Sequence, residues 1–340
     1  MTVLVTPTDN EVLSILTDQQ REFVYEKKHS YDERKIDWKN LERMSSEDYT
    51  FPQKHIFSWE TDAQESILEI SENEEFAPAF AIKTNGTEAA VNNLKANCTY
   101  YWRVNNSKSR CFTTEDITPR WIEVDGLTNV RDAGNWRTHY GSRIRQGMLF
   151  RGSEMDRHHT ITAKGIHTMH HELKIKTDLD LRGEATDLME SPLGKETDFV
   201  LIPVSAYAEF MNEEGKQQCK QIFDLFSEET RYPIYYHCWG GADRTGTLAF
   251  FMGVVLGMSE QDLILDYELT SLSIWGDRSH KSDLFQGFME QLNQYAGDTL
   301  QERALSFLYS CGITEEQMQR IRDILLEHLS ASQKSDFESK

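Results

Sequence analysis

Two textures of apolar and polar residues divide the chain. Up to about residue 116, short runs partly alternate apolar with polar positions: His55–Thr61, Glu65–Ser71, Phe80–Thr84, Thr99–Asn106 and Arg110–Glu115. Polar turns separate them, and that rhythm predicts the strands of an all-β sandwich. Glu22–Asp48 is dense in charge and breaks the rhythm, as an insertion or a helical excursion would. From Ile117 onward, strand and helix patterns take turns. Gly147–Ser153 reads as a strand and its exit, Lys176–Gly183 and Asp198–Val204 as buried strands, and Tyr232–Cys238 as a further strand. Ile166, Met169 and Leu173 recur at helical spacing, and Lys216–Glu228 has an amphipathic helix pattern. Thr245–Met258 is apolar on nearly all sides, which predicts a central helix. Ser259 with Asp262, and Thr314 with Gln317, have capping-box spacing at two helix starts. The tail Ser330–Lys340 is polar and expected to fray. Strands alternating with helices imply a mostly parallel sheet covered on both faces. The expected fold is therefore α/β, a central parallel sheet flanked by helices over 117–340, preceded by an all-β sandwich over 1–116.

Charge and cysteine content narrow the classes of function. With 56 Asp+Glu against 36 Lys+Arg, the formal net charge is -20, which opposes general binding to nucleic acid or anionic membranes. The five cysteines are odd in number and none has CxxC spacing, so neither a metal knuckle nor a disulfide framework is expected. Lone thiols point to a reducing compartment. Leu248–Met258 is the longest apolar run and suits a buried helix, not a membrane span. The N-terminus lacks the basic flank of a secretory leader. A cytoplasmic location is expected, or secretion if a leader preceded this sequence.

One stretch concentrates chemistry: Tyr235–Thr247, YYHCWGGADRTGT. A strand pattern ends at Cys238 and a helix pattern starts near Thr245. Between them Gly240 and Gly241 permit a sharp turn and close approach of backbone to a ligand. Successive N–H groups of such a turn form an anion nest, and the following helix adds its positive end. Arg244 supplies a planar fork suited to two oxygens of one phosphate. The same field favours the anionic, nucleophilic form of the sulfur. A thiolate facing a phosphate ester is set for attack on phosphorus. A nucleotide-binding loop of the GxxxxGK(S/T) kind would need a lysine that is absent here. A sulfur-transfer loop would also use a cysteine in a capping turn, but His237 before it and Arg244–Gly246 after it favour phosphoryl chemistry. No metal or cofactor is called for.

HCWGGADRTG resembles the HCxxxxxR(S/T)G signature of the protein tyrosine phosphatase superfamily. Asn129–Trp136 (NVRDAGNW), Leu149–Met155, Asp178–Thr186 and Leu265–Ser271 resemble, in order, segments of its bacterial tyrosine/lipid phosphatase branch. The resemblance implies hydrolysis of phosphomonoesters through a phosphocysteine. The substrate would be a phosphorylated protein, most of all phosphotyrosine, or a small phosphomonoester, with phosphoinositides or inositol phosphates as the alternative. A phosphate-binding scaffold of weak activity is the rival of another class. By resemblance Cys238 is the nucleophile, Arg244 the phosphate clamp, Thr245 a partner of the sulfur and His237 a brace. Trp239, Gly240, Gly241 and Ala242 would line the cradle. Asp243 would be the general acid, ahead of Asp180 and Glu209. Lipid-active relatives carry a lysine where this chain has Ala242. Asp180 and Arg182 would either order the loop or act in proton transfer. Arg151 would hold substrate or pair with a carboxylate, and Asp132 would act in the site or brace Arg131. Leu94–Val104 resembles the region around strand F of fibronectin type III domains, with Tyr100 as the corner tyrosine and Trp102 and Val104 in the core. Such a sandwich would offer a surface to a protein or carbohydrate ligand.

Overall fold

The computed structural model describes residues 2–29, 47–183 and 188–328. The polar tail from 330, the greater part of the charged excursion, and the end of the Asp178–Thr186 segment lie outside them. The N-terminal elements are strands β1 (Val3–Thr6) and β2 (Glu11–Leu13), helix α1 (Asp18–His29), and strands β3 (His55–Glu60), β4 (Ser66–Ser71), β5 (Phe80–Thr84), β6 (Glu88–Val91), β7 (Thr99–Val104) and β8 (Arg110–Thr114). All five runs read as strands are strands. β1, β2 and β6 were not singled out: the first two are very short, and EAAV in β6 has little β-branched content to mark it. Two sheets result, ordered β1-β3-β6 and β2-β8-β7-β4-β5. They face each other across aromatic contacts such as Phe57 against Trp102, edge to face with centroids 5.1 Å apart. Val104 and Trp102 are wholly buried.

The second group comprises β9 (Arg120–Trp121), β10 (Arg131–Asp132), β11 (Leu149–Gly152), α2 (Ala163–His167), β12 (Thr177–Asp180), β13 (Asp198–Leu201), α3 (Glu213–Phe226), β14 (Ile234–His237), α4 (Asp243–Val255), α5 (Glu260–Glu268), α6 (Asp283–Leu292), α7 (Leu300–Ser310) and α8 (Glu315–Leu325). Its six strands run β13-β12-β14-β11-β10-β9, parallel through the first four and antiparallel at β10 and β9. Side chains alternate across it as strand geometry requires. Leu149, Leu179, Ile234 and Tyr236 join the core made with α3–α8. Phe150 and Tyr235 join the smaller core with Met169 and Leu173 beyond α2. α4 is buried on nearly every side, as its composition requires. β13 departs from the expected buried strand: it is an edge strand with Asp198 and Leu201 exposed, because among the described residues no strand pairs with its outer side. Among the described residues no helix is long and apolar enough to cross a membrane.

Candidate active site

The central strand β14 ends at His237, and α4 begins at Asp243. The five residues between form a loop at the carboxyl edge of the parallel strands, where open α/β sheets place ligands. What shapes this loop is the capture of its carbonyl groups. His237 Nδ1 lies 3.3 Å from the Cys238 carbonyl. The Trp239 carbonyl accepts from Glu154 N at 2.9 Å. Asn129 Nδ2 donates to the Gly240 and Gly241 carbonyls at 2.9 and 3.2 Å. Arg151 Nη2 also donates to the Gly241 carbonyl, at 3.0 Å. The Ala242 carbonyl accepts from Gly246 N at 2.8 Å, the first turn of α4. In a planar trans peptide the N–H opposes the C=O. Holding these carbonyls outward therefore turns the amides of Trp239 through Asp243 to the opposite side. Ala242 caps α4 without any side-chain hydrogen bond, so the helix's first amides stay available to an anion. Gly241 has φ +65°, and a Cβ there would meet the Gly152 backbone at 2.5 Å, so only glycine fits. A Cβ on Gly240 would strike the Trp275 ring at 2.6 Å.

Behind the loop lies a buried charge network. His237 Nε2 sits 2.9 Å from Asp178 Oδ1, and both are nearly inaccessible. Burial opposes charge on His237, but Asp178 and then Asp180 outweigh it and hold the imidazolium up to a pKa of about 9. A charged ring donates from both nitrogens, to Asp178 and to the Cys238 carbonyl. Arg131 reaches Asn129 Oδ1 at 2.6 Å and Asp266 Oδ1 at 3.1 Å. Arg151 Nη1 reaches Asp266 Oδ2 at 2.6 Å. Asp266 is buried, which by itself raises its pKa, yet Arg131 and Arg151 bring it below the ordinary value.

Each residue named from the sequence can now be placed. Cys238 is buried at the loop's start, and the Arg244 guanidinium carbon lies 5.6 Å from the centroid of the Trp239 ring. Thr245 is fully buried, and its hydroxyl has no hydrogen-bond partner. Asp180 and Arg182 are both inaccessible and pair with each other at 2.7 Å, while Arg182 also binds Glu154 at 2.6 Å. Asp132 pairs with Arg120 at 2.6 Å and accepts from Gly134 N and Gly147 N, so it braces the β10 turn. Arg151 supports the loop from the carbonyl side. Glu209 is exposed on the turn Tyr207–Met211. From that turn it is Tyr207 that reaches the loop, its hydroxyl donating to Asp243 Oδ1 at 2.5 Å.

Asp243 itself is gripped by Arg278, whose Nε and Nη2 lie 2.9 and 3.1 Å from the two carboxylate oxygens. Burial raises the Asp243 pKa, but Arg278 and the Tyr207 hydrogen bond outweigh it, and the net shift is downward. The rim adds aromatic rings. His158 lies 5.3 Å from Trp239 and 6.3 Å from Trp275, and His159 lies 5.5 Å from Trp275. Asn129, Glu154, Asp178, Tyr207, Asp266, Trp275 and Arg278 were not named from the sequence. Asn129, Glu154, Asp178 and Asp266 stand inside segments already singled out. Tyr207 and Arg278 carry no local signal, because their partner Asp243 is remote in the chain.

A loop of inward amides at a helix start, with a cysteine at its first position and an arginine after it, has the arrangement expected of a phosphate cradle with a nucleophile. The tyrosine phosphatase family model matches residues 122–327, more than half of the chain. The chain belongs to the tyrosine phosphatase family. It is a phosphatase with a mixed α/β catalytic region. Among solved structures it is similar to the core catalytic domain of the PP-IP phosphatase SIW14 from S. cerevisiae, in complex with citrate. That match has 18% identity and a TM-score of 0.33, and covers 43% of this chain and 83% of that one. No curated protein matches the chain.

Proposed function

We propose that this phosphatase hydrolyses phosphomonoesters through a phosphocysteine on Cys238, with protein phosphotyrosine as the substrate class. The observation that carries this is the loop in which successive carbonyls from Cys238 to Ala242 are held outward. The inward amides and Arg244 stabilise the equatorial oxygens of the transferring phosphoryl group. The Cys238 sulfur forms a bond to phosphorus as the ester P–O bond breaks, and an acid protonates the leaving oxygen. Water then attacks phosphorus, giving its proton to the carboxylate left by the acid, the S–P bond breaks, and the thiolate returns with release of phosphate. The orphaned Thr245 hydroxyl is the donor assigned to the leaving sulfur. Asp243 is the assigned acid, with a condition set by its surroundings. Arg278 holds it charged, so it donates only after that ion pair opens.

The aromatic rim of Trp239, Trp275 and His158 suits the flat face of an aryl phosphate. Ala242 adds no charge to the loop, which suits a single phosphate better than a polyphosphorylated ring. Turnover on phosphotyrosine peptides, phosphoserine peptides, phosphoinositides and inositol phosphates, measured side by side, decides the class. Higher kcat/KM on inositol phosphates than on phosphotyrosine peptides would overturn the protein assignment. Cys238→Ser should lose more than about 10³-fold in turnover while keeping phosphate affinity. A serine variant with near-normal hydrolysis would exclude the phosphocysteine, and an inactive wild type that binds phosphate would favour a scaffold.

We further propose a division into residues 1–116 and 117–340, the first a fibronectin type III-like sandwich that offers a surface to a protein or carbohydrate ligand. Its support is the strand order and the Tyr100 hydroxyl, which accepts from Lys95 N at 2.9 Å across a tight corner. A cytoplasmic location fits five cysteines that are all free.

A further inference from the structure

The described residues on either side of the charged excursion, α1 and Asp48–Phe51, connect the N-terminal half to Asn129, the residue that holds the phosphate loop's carbonyls. Thr17 and Gln20 form a reciprocal cap at the start of α1: Gln20 N donates to Thr17 Oγ1 at 3.3 Å, and Thr17 N to Gln20 Oε1 at 3.1 Å. The amide nitrogen of Gln20 is then free to hold the returning chain, donating to the Tyr49 and Phe51 carbonyls at 2.6 and 2.7 Å. Gln20 is wholly buried while doing so. The segment it presents meets the catalytic half at three points. Tyr49 N donates to the Leu272 carbonyl at 2.8 Å, just before the stretch that carries Trp275. Asp48 accepts the Thr128 hydroxyl. Thr50 Oγ1 accepts Asn129 N at 2.9 Å and donates to Asp48 Oδ1 at 2.6 Å.

Asn129 is the residue whose side chain holds the Gly240 and Gly241 carbonyls. Its backbone is left-handed, φ +56°, a conformation that a non-glycine residue keeps only when its surroundings secure it. Thr50 secures it by taking its N–H, and Arg131 secures the other end by taking its side-chain oxygen. Thr50 and Asn129 are 1% and 0% exposed, so water does not replace either bond.

We propose that Thr50, held out by the α1 excursion, is a positioning residue of the phosphate loop. It orients Asn129, and through Asn129 it keeps two loop carbonyls outward and their following amides on the phosphate. The N-terminal half is thus a working part of the catalytic scaffold. This inference rests on the reading of the loop as the phosphate site.

The test uses full-length variants Thr50→Val, Thr50→Ser, Gln20→Ala and, as control, Thr114→Val. Thr114 is buried between Lys95 and Cys98 in the N-terminal sheets, and among the described residues its side chain bonds neither α1 nor Asp48–Phe51. Three quantities are read: phosphate affinity by calorimetry, kcat and KM on phenyl phosphate, and melting temperature. Thr50→Val keeps the shape and loses the hydroxyl; it should weaken phosphate binding and lower kcat/KM, each by about tenfold. Thr50→Ser should recover both to within about twofold, since it retains the acceptor. Gln20→Ala should move both in the same direction as Thr50→Val. Thr114→Val should lower the melting temperature and leave both within about twofold. Wild-type phosphate affinity and kcat/KM in Thr50→Val would overturn the proposal. So would losses in Thr114→Val that scale with melting temperature as those of Thr50→Val do. Hydrolysis that survives Cys238→Ser would instead strike the phosphocysteine reading, and the phosphate calorimetry would still judge Thr50.

Discussion

The N-terminal sheets and the catalytic region bury different chemistry. Among the described residues between β1 and β8, the buried polar ones are Gln20, Thr50, Ser66, Ser71 and Thr114, all uncharged. Among its described residues the catalytic region buries Arg120, Arg131, Asp132, Arg151, Glu154, Asp178, Asp180, Arg182, His237, Glu268 and Arg322. Apolar and aromatic packing is enough to hold two sheets together. Buried ions cost desolvation energy, and hydrophobic replacements would often be as stable. What they add here is direction. The Asp178–His237 pair and the Asp266–Arg131–Arg151 network reach the phosphate loop, directly or through Asn129, and fix which way its carbonyls point.

The contrast can be broken or sharpened by substitution on either side. Asp266→Asn should cost the most, about 3–5 kcal/mol, because Arg131 and Arg151 would remain buried with their shared counter-charge gone. A urea titration measures it; a loss under about 1 kcal/mol would mean the network is not structural. Arg244→Lys should keep stability and lose about 10²–10³-fold in kcat/KM, since lysine has the charge but not the fork. Near wild-type kinetics would make Arg244 a distant counter-charge. Ile70→Val, in the N-terminal core at 4% exposure, should cost about 1 kcal/mol and leave kcat unchanged. A fall in kcat would mean that the N-terminal sheets tune the site through more than the Asp48–Thr50 contact.

A further effect is on pH. His237 is raised from 6.5 to about 9 in the fold. Its proton therefore adds stability that is fully present below pH 6.5 and is lost as pH rises through about 9. Wild-type stability should slope downward between those values, and His237→Gln should flatten the slope. An unchanged slope in the variant would show that His237 is neutral in the fold.

Much of the catalytic site was legible in the sequence because its chemistry is local. Cys238, the glycines, Arg244 and the start of α4 lie within a few residues, and the turn, the helix end and the fork each follow from residue type. The strands of the N-terminal sheets were legible for a similar reason, since alternation is a local property. β6 escaped because alanines do not alternate visibly, and β13 appeared buried because composition does not reveal which strand lacks a neighbour.

The partners of the loop's carbonyls belong to the tertiary structure alone. That Asn129 holds Gly240 and Gly241, that Arg278 grips Asp243, and that Thr50 reaches Asn129 are contacts between residues dozens of positions apart. A hydrogen bond depends on where two groups meet, and chain separation carries no trace of it. Residue type determined that a thiol and a guanidinium flank a glycine turn at a helix start. Only the fold decided which neighbours aim them, because direction is set by packing and not by composition.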